Sequence, residues 1–375
     1  MNVEILETKL ICENKYSLHN HFCWPSVARL NDGKLAMVAS GFRIKNICPF
    51  GKIIICYSYD EGKTWTLPAI LTDTPYDDHS NGVLSFGNNE VIVAGSVECP
   101  DFQRNFYEKN KENPFYSRYR DYVNSYINFA ENEFEAETIL GVNFRLRHLG
   151  SHFKISHDNG ITFSEAYDSP VTTPHGPALA PDGNILYIGN STNYEKFRYG
   201  EKLECHKIYP DGRTEYVSDL PLPDNDVIFA EPHSTFTKNG TLIVHIRVQD
   251  KGSWPYKIRT IYQCKSYDGG ITFTTPHPLF PKDSGIAPAH ILQHSSGTLI
   301  SVHNRKDPLG IEASISTDDG ETWKHGHNLF LLDKPSDFSY PCSVELSDGK
   351  ILTVFYEGGT TDTPSVIKQV IWKFV

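Results

Sequence analysis

One eight-residue pattern recurs four times along this 375-residue chain and constrains the fold more than any other feature of the sequence. It reads Ser-x-Asp-x-Gly-x-Thr-aromatic, and its copies begin at Ser58, Ser156, Ser266 and Ser316. The aspartate can accept hydrogen bonds from the backbone of its own turn, and the glycine permits a positive φ. Four copies of so specific a turn predict a chain built from repeated structural units.

A second, independent series of turns gives the length of the repeated unit. These hairpin-type turns are flanked by β-type runs and are centred near Gly33, Asn89, Gly183, Gly240, Gly297 and Gly349. The intervals between them are 56, 94, 57, 57 and 52 residues. Five intervals define six units of roughly 55 residues, a period typical of propellers with four strands per unit.

The predicted fold is therefore all-β. We expect residues 1–375 to form a single six-bladed β-propeller domain with four-stranded antiparallel blades and an insertion at about 100–150. The last unit lacks an outer strand of its own, so we predict that Glu4–Cys12 supplies it and closes the ring without a bare sheet edge. The insertion is rich in aromatic residues, which is compatible with a lid, with a homo-oligomer contact or with packing on its own blade.

Composition narrows the choice of partner and compartment. The formal net charge of −11 repels phosphate backbones and anionic lipids, so we expect neither nucleic acid nor a membrane surface as a partner. Eight scattered cysteines without a CxxC pair indicate no zinc ribbon and no redox dithiol. Unpaired thiols and an acidic N-terminus predict a cytoplasmic protein, with a secreted mature form left open.

Comparison of the six units predicts which side chains face the central channel. At the start of the innermost strands lie Asp77, Asp78, His175, Glu231, His233, His290 and Tyr340. Seven to ten residues after the turns lie Arg43, Asn190, Arg247, Arg305 and Glu357. Polar side chains repeated around a ring predict a small-molecule site at one mouth of the channel. No HxH or HxxxH pair joins two of the three histidines, so we predict neither a metal nor another cofactor.

With these motifs the chain resembles the sialidase (neuraminidase) family, whose members are six-bladed propellers carrying the eight-residue pattern, known as the Asp box or BNR repeat. The resemblance spans essentially the whole chain. Asp boxes are specific for the fold but not for the activity, because non-catalytic propellers carry them too. What the resemblance implies is a carbohydrate substrate.

Sialidases hold the substrate carboxylate with three arginines, attack the sugar with a tyrosine that a glutamate activates, and use an aspartate as acid/base. The resemblance implies that Glu231 is that glutamate and Tyr340 the nucleophile. It also implies that Arg247 and Arg305 are two of the three arginines and that Arg43 contacts the sugar. A tyrosine hydroxyl has a pKa of about 10, so it needs a nearby carboxylate to take its proton.

The chain departs from the sialidase pattern in two places. The segment that carries the first carboxylate-binding arginine reads Phe22-Cys23-Trp24-Pro25, and the loop Ile44–Gly51, where the acid/base aspartate belongs, has no acidic residue. Loss of one charge-assisted contact costs roughly 1.5–3 kcal/mol. Asp77 or Asp78 on the next blade is the expected substitute for the missing acid.

Three functions fit these residues. The leading hypothesis is an exo-acting, sialidase-like glycoside hydrolase that removes a terminal acidic sugar from a glycan. A polysaccharide lyase or a His-dependent glycosidase would use His175, His233 and His290 together with the arginines. A non-catalytic glycan-binding propeller would explain the missing acid and the missing arginine.

Overall fold

The computed structural model describes residues 2–139, 149–193, 198–223, 226–251, 257–286, 288–332, 338–358 and 364–375. Within these residues the strands form six antiparallel sheets, and consecutive strands of each sheet are neighbours. The chain begins with β1 (Val3–Cys12), which belongs to the last blade. The predicted all-β six-bladed propeller is confirmed.

Blades 1 to 3 follow in chain order. Blade 1 contains β2 (His21–Arg29), β3 (Leu35–Arg43), β4 (Lys52–Ser58) and β5 (Ala69–Thr72). Blade 2 contains β6 (Asp77–Phe86), β7 (Glu90–Glu98), β8 (Gly150–Ser156) and β9 (Tyr167–Asp168). Blade 3 contains β10 (Val171–Thr172), β11 (Ala178–Leu179), β12 (Ile185–Asn193), β13 (Arg198–Ile208) and β14 (Thr214–Asp219). Its innermost strand is split, because β10 and β11 both pair with β12.

Blades 4 to 6 complete the ring. Blade 4 contains β15 (Val227–Phe236), β16 (Leu242–Asp250), β17 (Arg259–Ser266) and β18 (His277–Pro278). Blade 5 contains β19 (Ala289–Gln293), β20 (Leu299–Lys306), β21 (Leu309–Ser316) and β22 (Lys324–Leu331). Blade 6 contains β23 (Phe338–Glu345), β24 (Ile351–Glu357) and β25 (Val366–Phe374).

The two ends of the chain meet in blade 6. β1 pairs antiparallel with β25, from Val3 opposite Phe374 to Cys12 opposite Ile367. The predicted closure by Glu4–Cys12 is thereby confirmed. The apolar core lies between neighbouring blades, as in the cluster that packs β2 and β3 of blade 1 against β23 and β24 of blade 6.

Each Asp box ties its turn to the preceding blade of the ring, through a hydrogen bond to its glycine carbonyl. In the first copy, Thr64 donates to both carboxylate oxygens of Asp60, through its N–H at 2.8 Å and its hydroxyl at 2.6 Å. The Trp65 indole N–H donates to Gln369 Oε1 of blade 6 at 2.7 Å. Gly62 has a φ of +82°, and a Cβ at this position would overlap the buried Leu352 side chain of blade 6.

The insertion forms α1 (Pro100–Lys109) and α2 (Pro114–Ile139), placed between β7 and β8. The helices pack on the loop 44–51 of blade 1, where Tyr107 and Val123 join a buried cluster with Cys48 and Phe50. The Tyr107 hydroxyl donates to the Ile47 carbonyl at 3.0 Å. In the described part of the chain, neither helix combines the length and the apolar composition needed to cross a membrane.

Gly62→Ala tests the close packing of the first Asp box against blade 6, with Gly240→Ala as its matched control. Both glycines have a positive φ, but a Cβ at Gly240 would meet no atom within 4 Å. We expect Gly240→Ala to lower the free energy of unfolding by about 1 kcal/mol and Gly62→Ala by a further 1–3 kcal/mol, roughly, because of overpacking. Urea denaturation of both variants measures the difference, and equal losses would contradict the inter-blade contact.

Candidate active site

Three innermost strands share one backbone distortion at the same register. In β2, β15 and β23 the pairing with the next strand shifts, and the residue at the shift has a left-handed backbone followed by proline. These residues are Trp24, Glu231 and Tyr340, with φ of 53°, 49° and 52°. A left-handed backbone costs a non-glycine residue about 1–2 kcal/mol. Such a bulge re-aims a side chain, and strain of this kind concentrates at functional sites.

The distortion brings side chains of blades 4 and 6 together. The Tyr340 hydroxyl donates to Glu231 Oε1 at 2.9 Å, across 109 residues of sequence. Arg247 Nη1 donates to Glu231 Oε2 at 2.7 Å and to the Tyr340 oxygen at 3.3 Å. The Glu231 and Arg247 side chains are 15% and 13% exposed. A phenol, a carboxylate and a guanidinium therefore form one contact set that a ligand can reach.

Asn190 of blade 3 fixes the strained backbone around Glu231. Its side-chain oxygen accepts a hydrogen bond from the Glu231 N–H at 3.1 Å, and its amide donates to the Phe229 carbonyl at 3.0 Å. Asn190 lies in β12 at the register that Arg247 occupies in β16, seven residues after the turn glycine. It is thus a positioning residue, buried and bound to both sides of the bulge.

Arg305 does not join this contact set, and its predicted role needs correction. Arg247 follows its turn glycine by seven residues and Arg305 by eight, so Asn304 occupies the equivalent register. A shift of one residue turns a strand side chain to the opposite face. Arg305 instead pairs with Glu312 of its own blade at 2.9 Å and donates to the Asp307 carbonyl.

Arg43 is also not available to a sugar, because its side chain is completely buried. Its two Nη atoms form a bidentate ion pair with Asp77, at 2.6 and 2.8 Å. Its remaining N–H groups donate to the carbonyls of Lys45, Asn46 and Asp78. Four N–H groups of the guanidinium therefore donate hydrogen bonds within the protein, and its contact with Asp77 Oδ1 is ionic.

The two candidate acids, Asp77 and Asp78, are fully enclosed as well. Burial alone would raise the pKa of Asp77, but the charges of Arg43 and His79 lower it, so the carboxylate stays ionised. Burial raises the pKa of Asp78 to about 8, and Thr74 donates to both of its oxygens. Neither carboxyl can touch a substrate, so the prediction that one of them is the direct acid/base needs correction.

The three predicted channel histidines do meet. The ring of His175 lies 5.6 Å from those of His233 and His290, which stack at 4.2 Å, and 6.2 Å from the Tyr340 ring. Burial lowers the pKa of each imidazole, that of His175 to about 4. His175 lies in the break between β10 and β11, which explains how it reaches the other two rings.

The hydrogen bonds of this trio are unsuited to a metal. His233 Nδ1 accepts the Ile291 N–H at 3.0 Å, and His290 Nδ1 accepts the Ser343 N–H at 3.4 Å. A neutral ring that accepts at Nδ1 carries its proton at Nε2, so neither nitrogen offers a lone pair to a metal. Among the described residues, no group of three or more His, Cys, Asp or Glu side chains has a metal-binding arrangement.

Sequence comparison missed a second arginine of the site. Arg259 belongs to the third strand of blade 4. Its guanidinium interacts electrostatically with Arg247, Tyr340 and Glu231. Burial, and then the charge of Arg247, lower the pKa of Arg259. Among the described residues, two arginines beside one carboxylate leave an excess of positive charge that suits an anionic ligand. The comparison covered only the first two strands of each unit, so Arg259 gave no signal.

The buried histidines predict acid-induced loss of stability. They are neutral in the folded protein, whereas unfolded histidines ionise near a pKa of about 6.5. The unfolded state therefore binds more protons, and the free energy of unfolding falls as pH drops from about 6.5 towards 4. For His175 alone the loss at pH 5 is roughly 2 kcal/mol.

Urea denaturation at pH 7 and pH 5 checks this. His175→Phe should reduce the pH dependence, and the exposed control His157→Phe should not. An identical pH dependence in the parent protein and His175→Phe would contradict the assignment.

Comparisons with known proteins agree with the geometry at the level of the fold. A family model described as a BNR repeat-like domain matches residues 142–353. A Dyadobacter fermentans protein of unknown function superposes with a TM-score of 0.71 at 17% identity, covering 100% of both chains. No curated protein sequence matches the chain significantly.

Two similar solved structures are enzymes. The α-L-arabinanase of Penicillium chrysogenum, complexed with arabinobiose, gives a TM-score of 0.59 at 15% identity over 98% of both chains. The NanB sialidase of Streptococcus pneumoniae gives 0.64 at 11% identity, over 98% of this chain and 70% of that one. At these identities the likeness establishes a shared propeller fold.

Proposed function

Because the chain belongs to the BNR repeat-like domain family, whose model covers more than half of its residues, we propose that it is a glycoside hydrolase that removes a terminal acidic sugar from a glycan. The observation that carries the proposal is the contact of Tyr340 with Glu231 and Arg247. The similar structures of a sialidase and an arabinanase support glycan hydrolysis as the reaction class.

The contact set suits a tyrosine nucleophile. Glu231 takes the phenolic proton as the Tyr340 oxygen bonds to the anomeric carbon and the leaving group departs. Arg247 contacts Glu231 Oε2 and the Tyr340 oxygen, so it stabilises the negative charge that passes between the carboxylate and the phenolic oxygen. A neutral phenol also approaches an anionic sugar with less repulsion than a carboxylate would, and sialidases with a tyrosine nucleophile are a known exception to the two-carboxylate scheme.

The charge of the site favours an acidic sugar. Arg247 and Arg259 together outweigh Glu231, and the excess positive charge is partly buried, where it is weakly screened. Cys23 stands where the sialidase pattern has its first arginine, and Arg305 pairs with Glu312 of its own blade. We therefore propose a clamp of two arginines rather than three, with Arg259 in the place that the resemblance gave to Arg305.

Tyr340→Phe and Glu231→Gln test the nucleophile assignment. Each variant should lower kcat/KM by at least about 100-fold, since each removes one partner of the proton transfer. The matched control is Tyr59→Phe, in an exposed Asp-box turn. A panel of sialosides and uronate oligosaccharides with mass detection measures turnover of the parent protein and the variants.

Other outcomes of that panel would support the alternatives. An unsaturated uronate product that absorbs in the ultraviolet would identify a lyase. A sugar that binds tightly and is recovered unaltered would identify a non-catalytic glycan-binding propeller. Unchanged turnover in both Tyr340→Phe and Glu231→Gln would eliminate the tyrosine mechanism.

Arg259→Gln tests the clamp, with Arg305→Gln as the comparison. Loss of one charge-assisted contact corresponds to roughly 1.5–3 kcal/mol, so KM for the acidic substrate should rise about ten- to a hundredfold in Arg259→Gln. The methyl ester of the same substrate should be affected much less. Arg305→Gln should change KM less than about threefold, and the reverse order of the two variants would restore Arg305 to the site.

A further inference from the structure

The proposed hydrolysis needs a proton donor that reaches the substrate. A leaving sugar hydroxyl departs as a neutral group only when an acid protonates its oxygen, and this assistance contributes about 10²–10⁴-fold. Asp77 and Asp78 are enclosed, and the loop Ile44–Gly51 has no acidic residue. The next residue of β6 is His79, whose side chain is 17% exposed.

His79 is linked to Tyr340 through one aromatic side chain, that of Trp24. Its ring stacks on the Trp24 indole with centroids 4.8 Å apart and an interplanar angle of 14°. The same indole meets the Tyr340 ring edge-on at 6.4 Å. Trp24 is the third residue with the left-handed bulge, so the distortion that aims Glu231 and Tyr340 also places the surface on which His79 lies.

The buried Arg43–Asp77 ion pair contacts His79. The His79 Nε2 lies 3.0 Å from Asp77 Oδ2, at an angle outside hydrogen-bond geometry. Asp77 is itself held by Arg43. Two further titratable groups lie near Asp77, namely Glu98 on the paired strand and the buried thiol of Cys48. The Asp77 carboxylate and the Trp24 indole thus fix the position of the His79 ring.

We propose that His79 is the general acid and base of the reaction, positioned by Asp77, a role that rests on the proposed function. In the first step the protonated imidazole gives its Nδ1 proton to the leaving oxygen as the bond from that oxygen to the anomeric carbon breaks. The Tyr340 oxygen bonds to that carbon, and its proton passes to Glu231. In the second step neutral His79 takes a proton from water, and the water oxygen bonds to the anomeric carbon as the bond from that carbon to the Tyr340 oxygen breaks. The released Tyr340 oxygen recovers its proton from Glu231.

Leaving-group dependence tests this role. The parent protein, His79→Ala and Tyr340→Phe are assayed on two substrates with the same terminal acidic sugar, a 4-nitrophenyl glycoside and the natural oligosaccharide. Nitrophenolate departs without protonation, so we expect His79→Ala to keep kcat/KM for this substrate, which reports the first step, within about tenfold. For the oligosaccharide kcat/KM should fall about 10²–10⁴-fold, and added imidazole should restore part of it.

His157→Ala is the matched control, because this histidine is 59% exposed and also contacts a carboxylate of blade 2, that of Glu90. Equal losses of kcat/KM on both substrates in His79→Ala would indicate a structural role and overturn the proposal. Unchanged kcat/KM on both substrates would overturn it as well. If instead the parent protein cleaves neither substrate, or Tyr340→Phe remains active, the proposed function itself fails. The two failures are therefore distinguishable.

Discussion

The site exists because the ring is closed by backbone pairing between the first and last strands. β1 completes blade 6 by pairing with β25, so this blade packs against both blade 1 and blade 5. Tyr340 belongs to that blade, and its partners Glu231 and Arg247 come from blade 4. Residues so distant in sequence form a fixed contact only when the sheets between them hold a fixed arrangement, which the inter-blade clusters and Asp-box contacts provide.

Within the closed ring, a repeated local strain aims the side chains of the candidate site. The same left-handed bulge occurs in blades 1, 4 and 6, and each copy presents a different side chain, namely an indole, a carboxylate and a phenol. The energetic cost is met by the surrounding structure, as Asn190 demonstrates by binding both sides of the bulge at Glu231. The same backbone bulge thus presents three different side chains, because the residue at the bulge differs between the three blades.

The periodic features of the chain were predictable from sequence, because turns depend on local residues. The turn glycines and the Asp boxes predicted six blades, the closing strand and the register of Arg247. The contact of Tyr340 with Glu231 followed from the family resemblance. The errors arose where one residue of register or one non-local packing event decides the outcome: Arg305 is one position off, and Arg43 and Asp77 are covered by a loop on which an inserted helical hairpin packs.

The complete burial of the Arg43–Asp77 pair has a consequence for ionic conditions. Dissolved ions weaken an electrostatic attraction mainly through the water around it, and no water reaches this pair's side chains. The electrostatic field that the Arg43–Asp77 pair exerts on His79 should therefore be insensitive to added salt. The attraction of Arg247 for the acidic glycan that we propose as substrate crosses solvent and should weaken as salt increases. High ionic strength would then hinder capture of dilute substrate while leaving the bound reaction largely unaltered.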